Sequence, residues 1–502
     1  MANFSKQKVG KGAAYLYIDT IMGMVSGYIF WLVISRATGP GVVGVAAAVV
    51  SLATIITTIA NLGIPVSIER FLGRTVANRK VEDTKIYVKA SLYLLISSLF
   101  VCTLATLVFQ KELNLLTKVN FDLGLVIVAI ILTISLSINR LFTGIITSTL
   151  NTKSLAIASI ASTIAKFLVA FFLLYIGTGA FGVAVSIASF TIIEIIILGL
   201  NIRTSIFGKN SDQKSDIRIT KAFRMLITSG MPTFVPSIMA IMGSQVGTLL
   251  VFGLQGASHA GSFYIAYSIY TALYSGLSVI FSITFPVQSA LDSSHQIFAW
   301  RVTKIGILAT APLSFAMMVY SNSIMGVFGK GYVQGATAME ILMLSTVPVA
   351  LTYGISNLAY SHGAYRQVMI IGIVTSVPRT ILYFILVPHF GEIGAALSFT
   401  AGSFAGVILS IAISKRYEMK IDWRDVFIIS VIPFVLSYVL YVLHVNFVIG
   451  ILITLLMSYI IFYKLRVLER NDVEDSLTLL PSRLSKPTRR FLDIMEKKWG
   501  LS

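Results

Sequence analysis

Residues 173–186 read LLYIGTGAFGVAVS, and residues 385–398 read ILVPHFGEIGAALS. Aligned at a shift of 212, the two stretches place Gly179 opposite Gly391 and share a glycine, an alanine and a serine further on. In both stretches an apolar run ends at a glycine-containing turn, and another apolar run begins directly after it. The chain therefore contains an internal repeat.

The composition of the 502-residue chain is that of a polytopic membrane protein. Hydrophobic residues make up 56% of it and charged residues 12%, and its mean hydropathy is +0.86. A soluble domain could not bury that much apolar surface. The one cysteine, Cys102, lies in an apolar run, so no disulfide can form within the chain. The basic start leads into an apolar run of spanning length, which predicts an uncleaved first span.

Runs of about 20 apolar residues, the length that crosses a bilayer core of about 30 Å, predict about fourteen transmembrane helices. The fold class is therefore an all-α polytopic membrane protein. The predicted spans are residues 12–35, 42–66, 86–109, 121–144, 155–176, 180–202, 225–252, 260–285, 303–325, 337–359, 367–387, 392–414, 425–443 and 446–464.

Six spans in each half give both copies of the repeat the same orientation, related by an axis along the membrane normal. A weaker match at a shift of 217 joins VVGVAAAVVSL (42–52) to HAGSFYIAYSI (259–269) and supports the repeat. The repeat therefore predicts two pseudo-symmetric six-helix lobes with two additional helices after them. The predicted division is a first lobe at 1–204, a cytoplasmic linker at 205–222, a second lobe at 223–414, two further helices at 415–465 and a tail at 466–502.

The distribution of lysine and arginine orients the spans. The loops 69–85, 203–224 and 415–424 contain five, six and four of these residues. The connections on the opposite side contain Arg36, Lys111, Lys118 and Lys330. Because positive residues collect in cytoplasmic loops, both termini are predicted to be cytoplasmic, in a cell membrane. The net charge of +18 then faces anionic lipid headgroups rather than nucleic acid.

The tail contains Phe491, Leu492, Met495 and Trp499 at helical spacings beside basic residues. This pattern predicts an amphipathic helix on the cytoplasmic interface. A basic tail without a specific role fits the same residues.

Two cations lie near the middle of predicted spans, where each costs about 2.5–3.5 kcal/mol to insert. Lys166 lies in the fifth span and Arg379 in the eleventh, 213 residues apart, so they are approximate counterparts in the repeat. At about 1.5 Å per residue, both lie about 20 Å from the cytoplasmic ends of their helices, too deep for snorkelling. Each is expected to face a wet cavity or a carboxylate.

The intramembrane acids are Asp19 in the first span and Glu194 in the sixth. A structural Lys166–Glu194 ion pair is one interpretation of these residues. The other is that Lys166 and Arg379 line a central cavity and bind an anionic group, since Arg suits phosphate through its planar fork and Lys acts as a point charge. Asp19 or Glu194 is also a candidate for coupling to H⁺ or Na⁺.

Other polar residues fit a cavity less specifically. Arg140 lies near the cytoplasmic end of the fourth span, where it can snorkel or contact an anion. The eighth span carries a tyrosine face that suits sugar rings or a lateral gate, and interfacial packing explains it equally well. This face consists of Tyr264, Tyr267, Tyr270 and Tyr274.

Enzyme chemistry has no support in the sequence. The chain contains neither a phosphate-binding GxxxxGK[ST] loop nor a GxSxG or HExxH motif, and its histidines are scattered. We therefore expect no catalytic residue, no metal and no cofactor.

With fourteen spans arranged six, six and two, the chain resembles a known family. The stretches that carry the resemblance are KGAAYLYIDTIMGMVSGYIFWLVISRATGPGVVGVAAAVVSLATIITTIANLGIPVSIERFLGR and the later FGKGYVQGATAMEILMLSTVP. They are similar to the polysaccharide transporters, of O-antigen flippase type, in the multidrug/oligosaccharidyl-lipid/polysaccharide exporter superfamily. The resemblance covers roughly residues 5–465. It implies two lobes around a central cavity and alternating access.

The resemblance further implies export of a lipid-linked oligosaccharide, with cavity cations that contact its diphosphate. This substrate, membrane lipid and glycan-assembly enzymes are the implied partners of a monomeric transporter. The carrier is undecaprenyl or dolichyl, and H⁺, Na⁺ or the membrane potential supplies the coupling.

Three alternatives stay open. A drug/cation antiporter of the same superfamily would use acidic cavity residues, which the cations Lys166 and Arg379 disfavour. A facilitator-type sugar or anion transporter often carries GxxxDRxGR[RK] after its second span, and IERFLGRTVANRK departs from that spacing. A non-transporting scaffold or a polymerase is the third alternative, and a polymerase would have a large external loop, which the predicted connections lack.

Overall fold

The computed structural model describes residues 22–23, 25–78, 80–111, 123–149, 151–208, 217–289 and 295–468, and these contain helices and connections but no strand. The all-α class predicted from the apolar runs is confirmed. The predicted tail beyond residue 468, and Asp19, lie outside the described residues.

The helices group into two compact units, and each boundary falls inside a helix. The first unit contains the described residues up to Ile265 together with Thr380–Ala395, and the second contains Ala266–Arg379 and the described residues from Ala396. This grouping reflects packing. The predicted division by repeats, with lobes at 1–204 and 223–414, stays a prediction.

The chain begins with the helices of the first unit. They are α1 (25–38), α2 (Pro40–Asn61), α3 (Ile64–Ala77), α4 (Val81–Val108), α5 (Leu123–Ser148), α6 (Lys153–Tyr175), α7 (Gly179–Ile202, extended by the π-helical turn Arg203–Phe207) and α8 (Ile219–Gln255).

The next helix, α9 (Ala257–Ser289), crosses from the first unit into the second. It is followed by α10 (His295–Val319), α11 (Ser321–Phe328), the 3₁₀ turn Lys330–Gly335, α12 (Ala336–Met343), α13 (Thr346–Ser361), α14 (Tyr365–Ser414), the 3₁₀ turn Lys415–Tyr417, α15 (Trp423–Val442) and α16 (Phe447–Lys464).

Ten helices of the described chain are long and apolar enough to cross a membrane. The number is eleven if the bent pair Lys330–Met343 and Thr346–Ser361 is counted as one span. The sequence predicted about fourteen. Part of the difference lies in α14, whose 50 residues contain two predicted spans on either side of a kink at Gly391. In addition, predicted span 12–35 is only partly described, and predicted span 260–285 lies in α9, which is not among the ten. The chain is thus a multi-pass membrane protein.

The break between α2 and α3 divides what the sequence predicted as one span, 42–66. Leu62 and Gly63 both have positive φ, at 47° and 71°, and Pro65 follows at the start of α3. Proline is tolerated in the first helical turn because its missing N–H would have no partner there. The chain therefore ends α2 and restarts a helix within three residues.

The repeat is visible in the backbone at its best-matched glycines. Gly179 and Gly391 both have φ of 54°, a left-handed value that glycine adopts without strain. Ser186 and Ser398, seven residues after each glycine, are both fully buried. The two matched stretches therefore share a local conformation as well as a sequence pattern.

The weaker repeat has a structural counterpart in the crossing of α2 with the start of α9. A Cβ added to Gly44 would overlap the carbonyl oxygen of Ala257, and a Cβ added to Gly261 would overlap that of Pro40. Gly44 and Gly261 are 217 residues apart, and so are Pro40 and Ala257. The two helices thus meet backbone to backbone through corresponding residues of the repeat.

Apolar side chains pack the rest of the first unit. One cluster joins α3, α4 and α5 around Ile68, Leu95 and Leu141, and another joins α2, α5 and α7 around Leu52 and Leu132. These packed helices hold the polar side chains of the first unit in place.

Candidate substrate site

Lys166 lies on α6 and is only 7% exposed. Its ammonium nitrogen is 4.7 Å from the centre of the Phe30 ring, 5.0 Å from that of Phe190 and 5.7 Å from that of Phe167. A cation over an aromatic face is attracted by the ring quadrupole, by about 2 kcal/mol or more when water is excluded. Three rings therefore surround a charge that the sequence predicted to lie beside water or a carboxylate.

Glu194 lies on α7 and interacts electrostatically with Lys166. The side-chain amide of Asn139 donates a hydrogen bond of 2.5 Å to its carboxylate. This contact joins α5 to α7 and fixes the orientation of the Asn139 amide. The role of Glu194 in ion coupling stays a prediction.

Arg379 lies on α14 and is also 7% exposed. Its guanidinium carbon is 3.7 Å from the centre of the Phe399 ring, and Nη2 donates a hydrogen bond of 2.9 Å to Ser403 Oγ. Neither contact involves a carboxylate. Within the described chain, Nε of Arg379 is buried and has no hydrogen-bond partner. A buried donor without an acceptor costs about 1–3 kcal/mol, so an anion at this position would be stabilising.

A glycine makes room for this arginine. A Cβ added to Gly402 would lie 2.6 Å from Arg379 Cβ and 3.1 Å from Nε. Any larger residue at position 402 would therefore collide with Arg379 and with the Thr375 carbonyl oxygen, 2.5 Å away.

Three of the four predicted tyrosines pack in one group of rings with Phe399, the ring on which Arg379 rests. The ring centres of Tyr267 and Tyr270 are 5.5 and 5.1 Å from that of Phe399, and Tyr270 stacks on Tyr274 at 6.4 Å. The Tyr274 hydroxyl donates a 2.6 Å hydrogen bond to Tyr353. These rings, with Phe399 and Arg379, form the aromatic cluster of the second unit.

Tyr264 is separate from that cluster. It belongs to the first unit, where its ring centre lies 4.9 Å from that of Trp31. The tyrosine face predicted from the spacing of α9 is thus divided between two environments.

Arg140 lies on α5 and lines a cavity of about 310 Å³ inside the first unit. Its Nη1 is 3.5 Å from Thr58 Oγ1, a long contact that leaves the guanidinium available. Residues that the sequence did not single out also line the cavity, among them Asn61, Glu69 and Asn139. The structure therefore places Arg140 beside an acid and two amides.

The side chains that contact the two cations were also missed from the sequence. Their sequence pattern is that of ordinary apolar or small residues of spans. Phe30 and Phe190 reach Lys166 from other helices, and Phe399 and Ser403 reach Arg379 from the other side of the kink at Gly391. Among the described residues, no group of three or more His, Cys, Asp or Glu side chains could hold a metal ion.

A multi-pass bundle of long kinked helices with buried cations is the architecture of a membrane transporter. The chain belongs to the family of polysaccharide biosynthesis proteins, whose family model matches residues 9–292. No curated protein sequence matches the chain.

Solved structures share the fold at low sequence identity. The lipid II flippase MurJ, in its inward closed conformation, is 18% identical with a TM-score of 0.67, over 90% of this chain and 100% of that one. An inward-facing multidrug resistance transporter of the MATE family, in the MOP superfamily, is 13% identical with a TM-score of 0.63. The alignment covers 81% of this chain and 98% of that one. The Vibrio cholerae MATE transporter VcmN is 12% identical with a TM-score of 0.58, and the alignment covers 82% of this chain and 98% of that one. The predicted polysaccharide family is confirmed by the family model, and these structures show that the chain shares their fold.

Proposed function

We propose that the protein moves a polyprenyl-diphosphate-linked oligosaccharide from the cytoplasmic to the outer leaflet of the cell membrane. The observation that carries the proposal is the pair of buried cations, Lys166 and Arg379, at nearly corresponding positions of the repeat. The membership in a polysaccharide biosynthesis family supports the glycan cargo. The fold shared with a protein named as a lipid II flippase supports a lipid-linked cargo.

In this proposal the two cations contact the diphosphate. Arg379 presents a planar fork with one unused buried donor, and Lys166 adds a point charge. Arg379 rests on an aromatic ring and a hydroxyl instead of a carboxylate, so an anion can bind to it without first displacing an acidic side chain. Lys166 rests on aromatic rings and also interacts with Glu194. The tyrosines of the aromatic cluster offer ring faces and hydroxyls to the glycan.

Transport then proceeds by alternating access of the two repeat-related lobes, with both termini in the cytoplasm. Moving a diphosphate out of an inside-negative cell lowers its free energy by about 2.3 kcal/mol per charge per 100 mV. The membrane potential is therefore the proposed driving force. Glu194 or Asp19 is the alternative point of coupling, to H⁺ or Na⁺. The protein acts as a monomer beside glycan-assembly enzymes.

A drug/cation antiporter is the second candidate, since MATE transporters share the fold. The charges argue against it. Cationic drugs need acidic side chains, whereas Arg379 and Lys166 present positive charge in both halves of the repeat.

Reconstitution into liposomes tests the proposal. A fluorescent lipid-linked oligosaccharide is placed in both leaflets, and a membrane-impermeant quencher reports its movement. We expect protein-dependent transfer that Lys166→Ala and Arg379→Ala each slow at least tenfold. A wild-type protein with which the quencher still reaches only the label of the outer leaflet, under an imposed potential or ion gradient, would overturn the proposal.

A further inference from the structure

The cavity that contains Arg140 lies wholly inside the first unit, at the break between α2 and α3. Its wall is built from α2, α3, α5 and α8. The break opens the wall, because Leu62 and Gly63 turn the chain through positive φ values and the helical hydrogen bonds stop there. At about 310 Å³, the cavity is at the lower end of the range of about 300–1,000 Å³ for small-molecule sites.

The wall contains one basic and one acidic residue. Arg140 on α5 shares the wall with an acidic residue, Glu69 on α3, so the cavity does not present cations alone. A dianion such as a diphosphate would be attracted by one and repelled by the other. A ligand that is neutral and rich in donors and acceptors suits such a wall better.

The uncharged groups of the wall are those that bind hydroxyls. Asn61 and Asn139 supply amides, Thr58 and Thr143 supply hydroxyls, and Phe234 on α8 supplies a ring face. The Thr58 hydroxyl donates to the Thr54 carbonyl at 2.9 Å, so its oxygen remains an acceptor. Amides and hydroxyls around one aromatic ring are the groups that recognise a sugar ring, which has hydroxyl edges and apolar faces.

Two acceptors in this wall have no hydrogen-bond partner among the described residues. The carbonyl oxygens of the Asn61 and Asn139 side chains are buried without a hydrogen bond in the described chain, and Asn61 is only 5% exposed. For Asn139 the assignment of oxygen and nitrogen is fixed, because its NH₂ group donates to Glu194. Buried acceptors without donors cost about 1–3 kcal/mol each, and a ligand hydroxyl or amide N–H would supply the missing donor.

We infer that this cavity is the subsite for the first sugar of the lipid-linked substrate, a neutral pyranose with donor groups such as an acetamido hexose. The inference rests on the proposed function and assigns Arg140 to the sugar instead of the diphosphate. The diphosphate then binds at Lys166 and Arg379, and the cavity selects the sugar attached to it.

Two lipids test the subsite with the full-length protein in detergent. One is heptaprenyl diphosphate, and the other is heptaprenyl diphosphate carrying a single N-acetylglucosamine. We expect the wild type to bind the glycosylated lipid at least tenfold more tightly. Asn61→Ala and Thr143→Val should each weaken binding of the glycosylated lipid about fivefold, which corresponds to the loss of one uncharged hydrogen bond. Binding of the bare lipid should stay unchanged.

Asn357→Ala is the matched control. Asn357 also keeps a buried side-chain amide nitrogen without a partner in the described chain, but it lies on α13 in the second unit. The Asn357→Ala variant should bind both lipids like the wild type. That result would show that loss of a buried amide alone does not cause the weaker binding of Asn61→Ala.

The outcomes separate the two proposals. A wild type that binds both lipids equally, or an Asn61→Ala variant that binds the two with unchanged or equally weakened affinity, overturns the sugar subsite and leaves the diphosphate proposal standing. A wild type that binds neither lipid overturns the proposed function, and the subsite with it.

Discussion

Gly44 and Gly261 occupy corresponding positions of the repeat, and each lies against the backbone of the other's helix. The contact is reciprocal, since Gly44 faces the Ala257 carbonyl and Gly261 faces the Pro40 carbonyl. A hydrogen atom is the only side chain that fits between the two backbones at either position.

We predict that Gly44→Ala and Gly261→Ala each destabilise the fold by about 3 kcal/mol or more, because the added methyl group meets backbone that cannot rotate away. Unfolding in mixed SDS micelles, followed by circular dichroism, measures the loss. Gly41→Ala is the control, since a Cβ at Gly41 meets no atom within 4 Å. Equal stability of Gly44→Ala and Gly41→Ala would contradict the close crossing.

Gly391→Ala should cost more stability than Gly179→Ala, although both residues have the same φ. At Gly179 the space around a new Cβ is open, so only backbone strain of about 1–2 kcal/mol is expected. At Gly391 a Cβ would also overlap the side chain of Gln255, whose Oε1 accepts a 2.8 Å hydrogen bond from the Glu392 N–H. The same unfolding measurement compares the two variants. A larger loss for Gly179→Ala would show that the kink is not held by Gln255.

Arg379→Lys should slow lipid-linked oligosaccharide transfer roughly tenfold, even though the charge is kept. Lysine cannot lie flat on Phe399 and donate to Ser403 while offering a further donor, and a hydrogen bond to a charged group contributes about 1.5–3 kcal/mol. The liposome assay measures the rate. Arg424→Lys, at an exposed position of α15, should transport like the wild type. Full activity of Arg379→Lys would mean that charge alone matters there.

Tyr274→Phe and Tyr353→Phe should not be additive. Each substitution removes a partner of the same 2.6 Å hydroxyl–hydroxyl bond, so each should cost about 1 kcal/mol, and the double variant little more than either one. A thermodynamic cycle of the four proteins, measured by unfolding, gives the coupling energy. A double variant whose loss equals the sum of the two would show that the bond contributes nothing.

The helices could be predicted because hydropathy is a local property, and about 20 apolar residues are enough to define a span. The two buried cations could be located for the same reason, since a charge inside an apolar run is conspicuous. Their surroundings could not be predicted. Phe30 is 136 positions from Lys166, and no spacing rule relates them. The cavity wall likewise unites Asn61, Arg140 and Phe234, which only helix packing brings together.

The break of span 42–66 was missed although the sequence contains its signals. Leu-Gly-Ile-Pro at 62–65 contains a glycine and a proline shortly before the charged residues begin, and apolar side chains on both sides hid the interruption. The turn predicted at Gly391 is present as a kink, because Gly391 has non-helical dihedrals (φ 54°, ψ −129°) and separates two helical segments of α14.

The 37-residue helix α8 contains Pro232 and Pro236. Neither proline has an N–H, so the carbonyls of Thr228 and Pro232 lack the usual helical donor four residues later. The segment resists bending less than a proline-free stretch of equal length would. Phe234 and Ser237, in the same segment, line the Arg140 cavity. Bending of α8 at these prolines would therefore move two residues of the cavity wall.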